Sequence, residues 1–114
     1  MKKHVLCLIF SGVLFLLSVA AQADIYFPHI AVDDSWQTEI CLINTNGYEQ
    51  ASGTLVCYSS DGQVVETLPL SLEPGARKEI AVADECSNPR QIRYIAFESE
   101  SVSLNGYTKF FIPG

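Results

Sequence analysis

The chain is short of the residues from which catalytic and metal sites are built. Of two histidines in 114 residues, only His29 lies beyond residue 23. Neither Cys-x-x-Cys nor His-x-x-x-His occurs, which removes the common zinc-ligand spacings. A Cys–His nucleophile needs a thiol to meet His29 in space, and nothing in the spacing provides one. There is no Gly-x-Ser-x-Gly elbow, and a lone histidine leaves few ways to assemble a triad. No Asp-x-Asp-x-Asp-Gly loop occurs either, so Asp33-Asp34 and Asp84-Glu85 read as solvated loops rather than calcium ligands. Glu98 and Glu100 share a strand face, but neighbours beside a turn are more often an acidic surface than a hydrolytic pair. The expectation is a protein that is not an enzyme, with no catalytic, cofactor-binding or metal residues.

Positive charge is scarce as well. Seven Lys and Arg face thirteen Asp and Glu. Two of the seven, Lys2 and Lys3, precede an apolar stretch over residues 5–19, broken only by Ser11, Gly12 and Ser18 and followed by Ala21-Gln22-Ala23. A basic head, a short apolar middle and a small-x-small exit together read as a cleavable signal peptide. A membrane-spanning helix wants about 20 apolar residues, more than this run supplies. Cys7 sits near the start of the run, the wrong place for lipidation. Cleavage after Ala23 leaves a mature domain over residues 24–114, periplasmic or secreted and without a membrane span. Its five basic residues (Arg77, Lys78, Arg90, Arg93, Lys109) against thirteen acidic ones give a formal charge of −8. That balance disfavours nucleic acid and anionic membranes as partners.

What the mature chain does have is β-forming runs separated by turn residues. Residues 25–30 form a short first strand that Pro28 confines to an edge or bulge. Residues 36–44 alternate, with Trp36, Thr38, Ile40 and Leu42 on one face and Gln37, Glu39 and Cys41 on the other. Residues 51–59, the turn Ser60-Asp61-Gly62 and residues 63–72 follow, with Val64, Leu68, Leu70 and Leu72 on one face and Pro69 marking an edge. After Glu73-Pro74-Gly75, residues 77–83 alternate again. Residues 91–99 look buried on both faces and therefore central. Residues 102–112 close the series, with Asn105-Gly106 read as a bulge. No sustained helical period appears. Seven short strands of this spacing predict a small antiparallel β-sandwich, Ig-like in layout.

Three cysteines remain after cleavage: Cys41, Cys57 and Cys86. Export puts them where disulfides form, and the odd count leaves one over. A tight turn at Asn46-Gly47 would set Cys57 opposite Trp36, pointing away from Cys41. If residues 45–50 are all loop, Cys41 and Cys57 share a face and can meet. The second register is adopted here, pairing Cys41 with Cys57 and leaving Cys86 as the free or intermolecular thiol. Such a bridge would stabilise the fold by about 3 kcal/mol in the chain-entropy picture. Three reduced, buried cysteines are the alternative.

The aromatics could build a sugar-stacking platform, yet Trp36, Phe97 and Tyr94 fall on faces assigned inward, which leaves Tyr48 as the exposed one. Carbohydrate binding through exposed aromatics is therefore the second functional expectation, behind protein association.

Phe27-Pro28-His29-Ile30-Ala31, then Trp36-x-Thr38-x-Ile40 leading to Ile43-Asn44, and later Gly106-Tyr107-Thr108-Lys109-Phe110 resemble a β-sandwich domain of exported proteobacterial proteins. Asp61-Gly62 and Ser87-Asn88-Pro89 fall at similar places. The resemblance spans nearly all of the mature chain but rests on structural motifs, and it implies no activity, ligand or cofactor. Members of that kind continue past the Lys-Phe strand with a further short strand, whereas this sequence ends at Pro113-Gly114. The expectation is an uncovered sheet edge open to a protein partner or a second copy.

Overall fold

The computed structural model describes residues 23–101 and 103–113. The leader assigned above, residues 1–23, lies outside the described residues except for Ala23, the last residue before the expected cleavage point. Among the described residues seven strands divide into two antiparallel sheets: β1 (Ala23–Phe27), β2 (Gln37–Asn44), β3 (Ala51–Tyr58), β4 (Val64–Leu72), β5 (Arg77–Ala81), β6 (Tyr94–Ser99) and β7 (Leu104–Phe111). One sheet has the order β1-β6-β3-β4 and the other β5-β2-β7. A single helical turn, α1 (Val82–Glu85), follows β5, and a 3-10 turn (Pro89–Gln91) precedes β6.

The chain is a β-sandwich, because each strand's alternation gives it one apolar face to bury. Phe27, Ile40, Leu42, Leu55, Leu72, Ile80, Ile95 and Phe97 meet between the sheets, all nearly fully buried. Each such side chain contributes roughly 1.5–3 kcal/mol when removed from water. β6 is central and covered on both faces at Ile95, Ala96 and Phe97. β1 and β4, the strands carrying or abutting a proline, lie at the edges. The four-plus-three division is that of an Ig-like layout, while the orders β1-β6-β3-β4 and β5-β2-β7 differ from the immunoglobulin ones.

The turns obey local chemistry. Gly62 adopts φ +82° in the β3–β4 hairpin and Gly75 φ +71° after Pro74, positions where a side chain would be strained. Every connection but the β3–β4 hairpin crosses from sheet to sheet, and buried polar groups hold two of the crossings. Thr38 Oγ1 donates to the Ala31 carbonyl at 2.7 Å and accepts from the Ala31 amide at 2.8 Å. Asn44 Nδ2 donates to the carbonyl of Glu49 at 2.8 Å, with longer bonds to Leu72 and Glu73 at 3.3 and 3.2 Å. Asn44 Oδ1 accepts from the Asn46 amide at 3.0 Å. That network shapes residues 45–50 into a crossing rather than a hairpin.

Several expectations change as a result. β2 and β3 belong to different sheets, so Cys41 and Cys57 are not cross-strand neighbours. Trp36 lies outside β2 and is 44% exposed, because the Asp33 side chain takes the Ser35 and Trp36 amides at 2.7 Å each and turns the chain there. Strand β5 stops at Ala81, where α1 begins. Asn105-Gly106 is not a bulge, since the β2–β7 register runs unbroken from Gln37↔Phe111 to Asn44↔Leu104. Gly106 is needed for another reason. A Cβ there would sit 2.9 Å from the Cys41 carbonyl and 3.0 Å from the Phe27 ring. The irregularity lies instead on β4, where the pairing steps from Cys57↔Glu66 to Tyr58↔Val64 past Val65, and Val64 turns out to solvent.

Candidate functional site

Four strands end the two sheets, and they are not equally protected. β1 runs into Pro28 and β4 carries Pro69. β5 is five residues long and bears Arg77, Lys78 and Glu79. Prolines, charges and shortness are the usual ways of blunting an edge. β7 has eight residues, no proline and one charge, Lys109.

Which backbone groups β7 presents follows from its pairing. The Ser103 carbonyl accepts from Thr45 on the β2 side at 2.8 Å. The Gly106 amide is taken by the Asn105 side chain at 2.8 Å. In an antiparallel strand the amide and carbonyl of each residue point to the same side and alternate along the chain. The odd-numbered residues therefore bond to β2, and Gly106, Thr108 and Phe110 turn their backbone groups away from it. Among the described residues β2 is the only strand paired with β7.

Beside the far end of this edge lies an apolar cleft of about 260 Å³ lined by His29, Ala31, Trp36 and Phe110. The His29 and Phe110 rings stand 5.4 Å apart, tilted by 55°. Phe110 is 42% exposed and Ile112 68%. His29 is thus an aromatic neighbour at the surface. Tyr48 is exposed as expected, but Tyr26 and Tyr107 are exposed too. Tyr94 is half-buried, stacked on Tyr58 at 4.6 Å on the outer face of the four-stranded sheet, rather than turned into the core.

The charged candidates do not converge. Asp33 caps its own turn, and those two amide bonds hold its carboxyl below the ordinary value of 3.8. Asp34 pairs with Arg90 at 2.6 Å, and Arg77 with Glu79 at 2.7 Å and with the Tyr107 hydroxyl at 2.5 Å. Glu98 stays within β6, while Glu100 lies beyond its end, beside a polar hollow with Glu49 and Asn46. Among the described residues no three His, Cys, Asp or Glu side chains gather as metal ligands.

Among the described residues Cys41, Cys57 and Cys86 are buried and unbridged, so the expected Cys41–Cys57 disulfide is not formed. Cys41 lies on the outward face of β2, opposite Tyr107 and Glu79 in the pairing, whereas Cys57 belongs to the core between the sheets. Cys57's neighbour is Cys86. Their hydrogen bond, then burial, pushes the Cys57 thiol up, and the same bond lowers Cys86.

No known protein family matches the chain, and no curated protein does. Among solved structures it resembles the Anabaena sensory rhodopsin transducer. The TM-score is 0.59 at 12% identity, over 78% of this chain and 96% of that one. At that identity the likeness speaks for the sandwich fold and for nothing further.

Proposed function

We propose that the chain is an exported, non-catalytic module that works by protein association, accepting a further strand along β7. The observation carrying this reading is the contrast among the four edges: only β7 is long, free of proline and nearly uncharged. Unpaired backbone donors and acceptors on such an edge are a template for strand addition. A second copy of β7 suits it well. Antiparallel pairing about Thr108 sets 106/110 and 108/108 as the facing pairs, offering the Gly106 carbonyl and both backbone groups of Thr108 and Phe110, while the Gly106 amide stays with the Asn105 side chain. The same register sets Lys109 beside Tyr107, Phe110 opposite Gly106, and Leu104 opposite Ile112, with no like charges facing.

Export rests on Lys2, Lys3, the apolar run and Ala21-Gln22-Ala23. Cleavage after Ala23 leaves Asp24 to pair with Glu98, so nearly all of β1 survives. Size-exclusion chromatography with light scattering tests the association. A dimer that Phe110→Lys converts to monomer is expected, and a monomer at every concentration refutes the reading.

A second reading, carbohydrate binding, draws on the exposed Trp36 beside Phe110 in the apolar cleft. Stacking of a sugar on that ring would shift Trp36 fluorescence in a glycan titration. An unchanged spectrum across a glycan panel removes it.

A further inference from the structure

The cysteines carry an inference independent of the β7 edge. Cys57 points inward from β3 and is fully buried. Its cross-strand partner on β4 is Glu66. The Glu66 carboxylate reaches out of that ladder and accepts the Ser87 amide at 2.7 Å, with the Ser87 hydroxyl at 3.4 Å. Ser87 directly follows Cys86, whose own amide is held by the Val82 carbonyl at 3.2 Å. One carboxylate on β4 thus anchors the segment after α1 next to Cys57, and both sulfurs enter the same core cluster. Cys41 faces the opposite way on the other sheet, and the core lies between.

We propose that Cys57 and Cys86 are an oxidisable pair that closes to a disulfide tying β3 to the α1 segment, while Cys41 stays reduced. The oxidant is an external disulfide, R–S–S–R, such as oxidised glutathione. Cys86, 8% exposed against 0% for Cys57, is the thiol a reagent reaches first. Its thiolate attacks one sulfur of R–S–S–R, forming the mixed disulfide and releasing RS⁻. Cys57 then loses its proton and attacks the Cys86 sulfur, which breaks the mixed disulfide and releases the second RS⁻. Two thiols become one disulfide, two protons go to solvent, and R–S–S–R is reduced to two thiolates.

The bridge would join residues that lie on opposite sides of the β4–β5 crossing, linking the four-stranded sheet to the segment that leaves the three-stranded one. Loops of that length give a cross-link substantial effect on the unfolded chain. Closure therefore has a stability readout as well as a chemical one.

The test uses the purified protein incubated with oxidised glutathione, quenched in acid, unfolded, alkylated and mapped by mass spectrometry. The expected product is a 57–86 cross-linked peptide with Cys41 alkylated and no retained glutathione. Its urea midpoint should rise on oxidation and return with dithiothreitol. Cys41→Ser should keep the cross-link, and Cys86→Ser should abolish it together with the midpoint shift. A Cys41–Cys57 or Cys41–Cys86 linkage in the wild-type map overturns the proposal. So does glutathione stalled on Cys86, or alkylation of all three thiols after oxidation; none of these results depends on a variant that folds.

Discussion

Placing proline at Tyr107 and, separately, at Thr108 distinguishes the two sides of β7. Proline has no amide to donate, so its cost depends on where that amide points. Tyr107 bonds toward β2 opposite Cys41, which is fully buried. Losing the donor there leaves a buried β2 carbonyl unpaired, at about 1–3 kcal/mol. Thr108 turns its amide outward, so no ladder bond is lost. What remains is a poorer strand former on an edge, about 1 kcal/mol or less. With a urea slope of roughly 1–3 kcal/mol per molar, a 2 kcal/mol loss moves the unfolding midpoint by about 1 M. Denaturation of dilute protein followed by far-UV circular dichroism measures both variants. The expected order is wild type close to Thr108→Pro, with Tyr107→Pro well below. Equal losses for the two prolines would refute the assignment of inward and outward amides.

Other consequences concern the core, the crossing network and the acid limit. At Gly53 a Cβ would fall onto the Glu98 carbonyl and 2.8 Å from the Phe97 ring, so Gly53→Ala should cost about 1–3 kcal/mol by overpacking. Gly47 has nothing within 4 Å, and Gly47→Ala should leave the midpoint nearly unchanged. Asn44→Ala removes the donor to three carbonyls and should cost about 1–3 kcal/mol, with faster amide exchange across residues 45–50. For Asp33, whose folded carboxyl titrates below its unfolded value of 3.8, the stabilisation is complete above that value and lost as pH falls through the folded one. An NMR titration should place the Asp33 midpoint below 3.8, and a midpoint at or above that value contradicts the capping role.

The strands could be read from the sequence because burial on one face imposes a period of two, and β2 shows it from Gln37 to Ile40 before Cys41 is buried on the other face as well. Pro28 and Pro69 marked edges for the same kind of local reason. Which strands share a sheet was not legible. Asn46-Gly47 has the chemistry of a tight hairpin, but Asn44 spends its side chain on carbonyls of Glu49, Leu72 and Glu73. Those partners lie up to 29 residues away, where no local pattern reaches. The Cys41–Cys57 pairing is lost with that step, and Cys86 comes to Cys57 from a distant segment that the Glu66–Ser87 bond helps to hold. Trp36 keeps the alternation of β2 but not its conformation, because the Asp33 cap holds its amide and the strand starts one residue later, at Gln37. At Gly106 a turn signal stood where the real constraint was the Phe27 ring overhead.

Residue-resolved amide exchange of the protein at rising concentration probes the role of β7 most directly. Slowing confined to Thr108 and Phe110, with Tyr107 and Lys109 protected even when dilute, is the pattern that pairing along this strand predicts. Exchange at Thr108 and Phe110 that stays fast at every concentration, or protection gained along β4 or β5 instead, would contradict it.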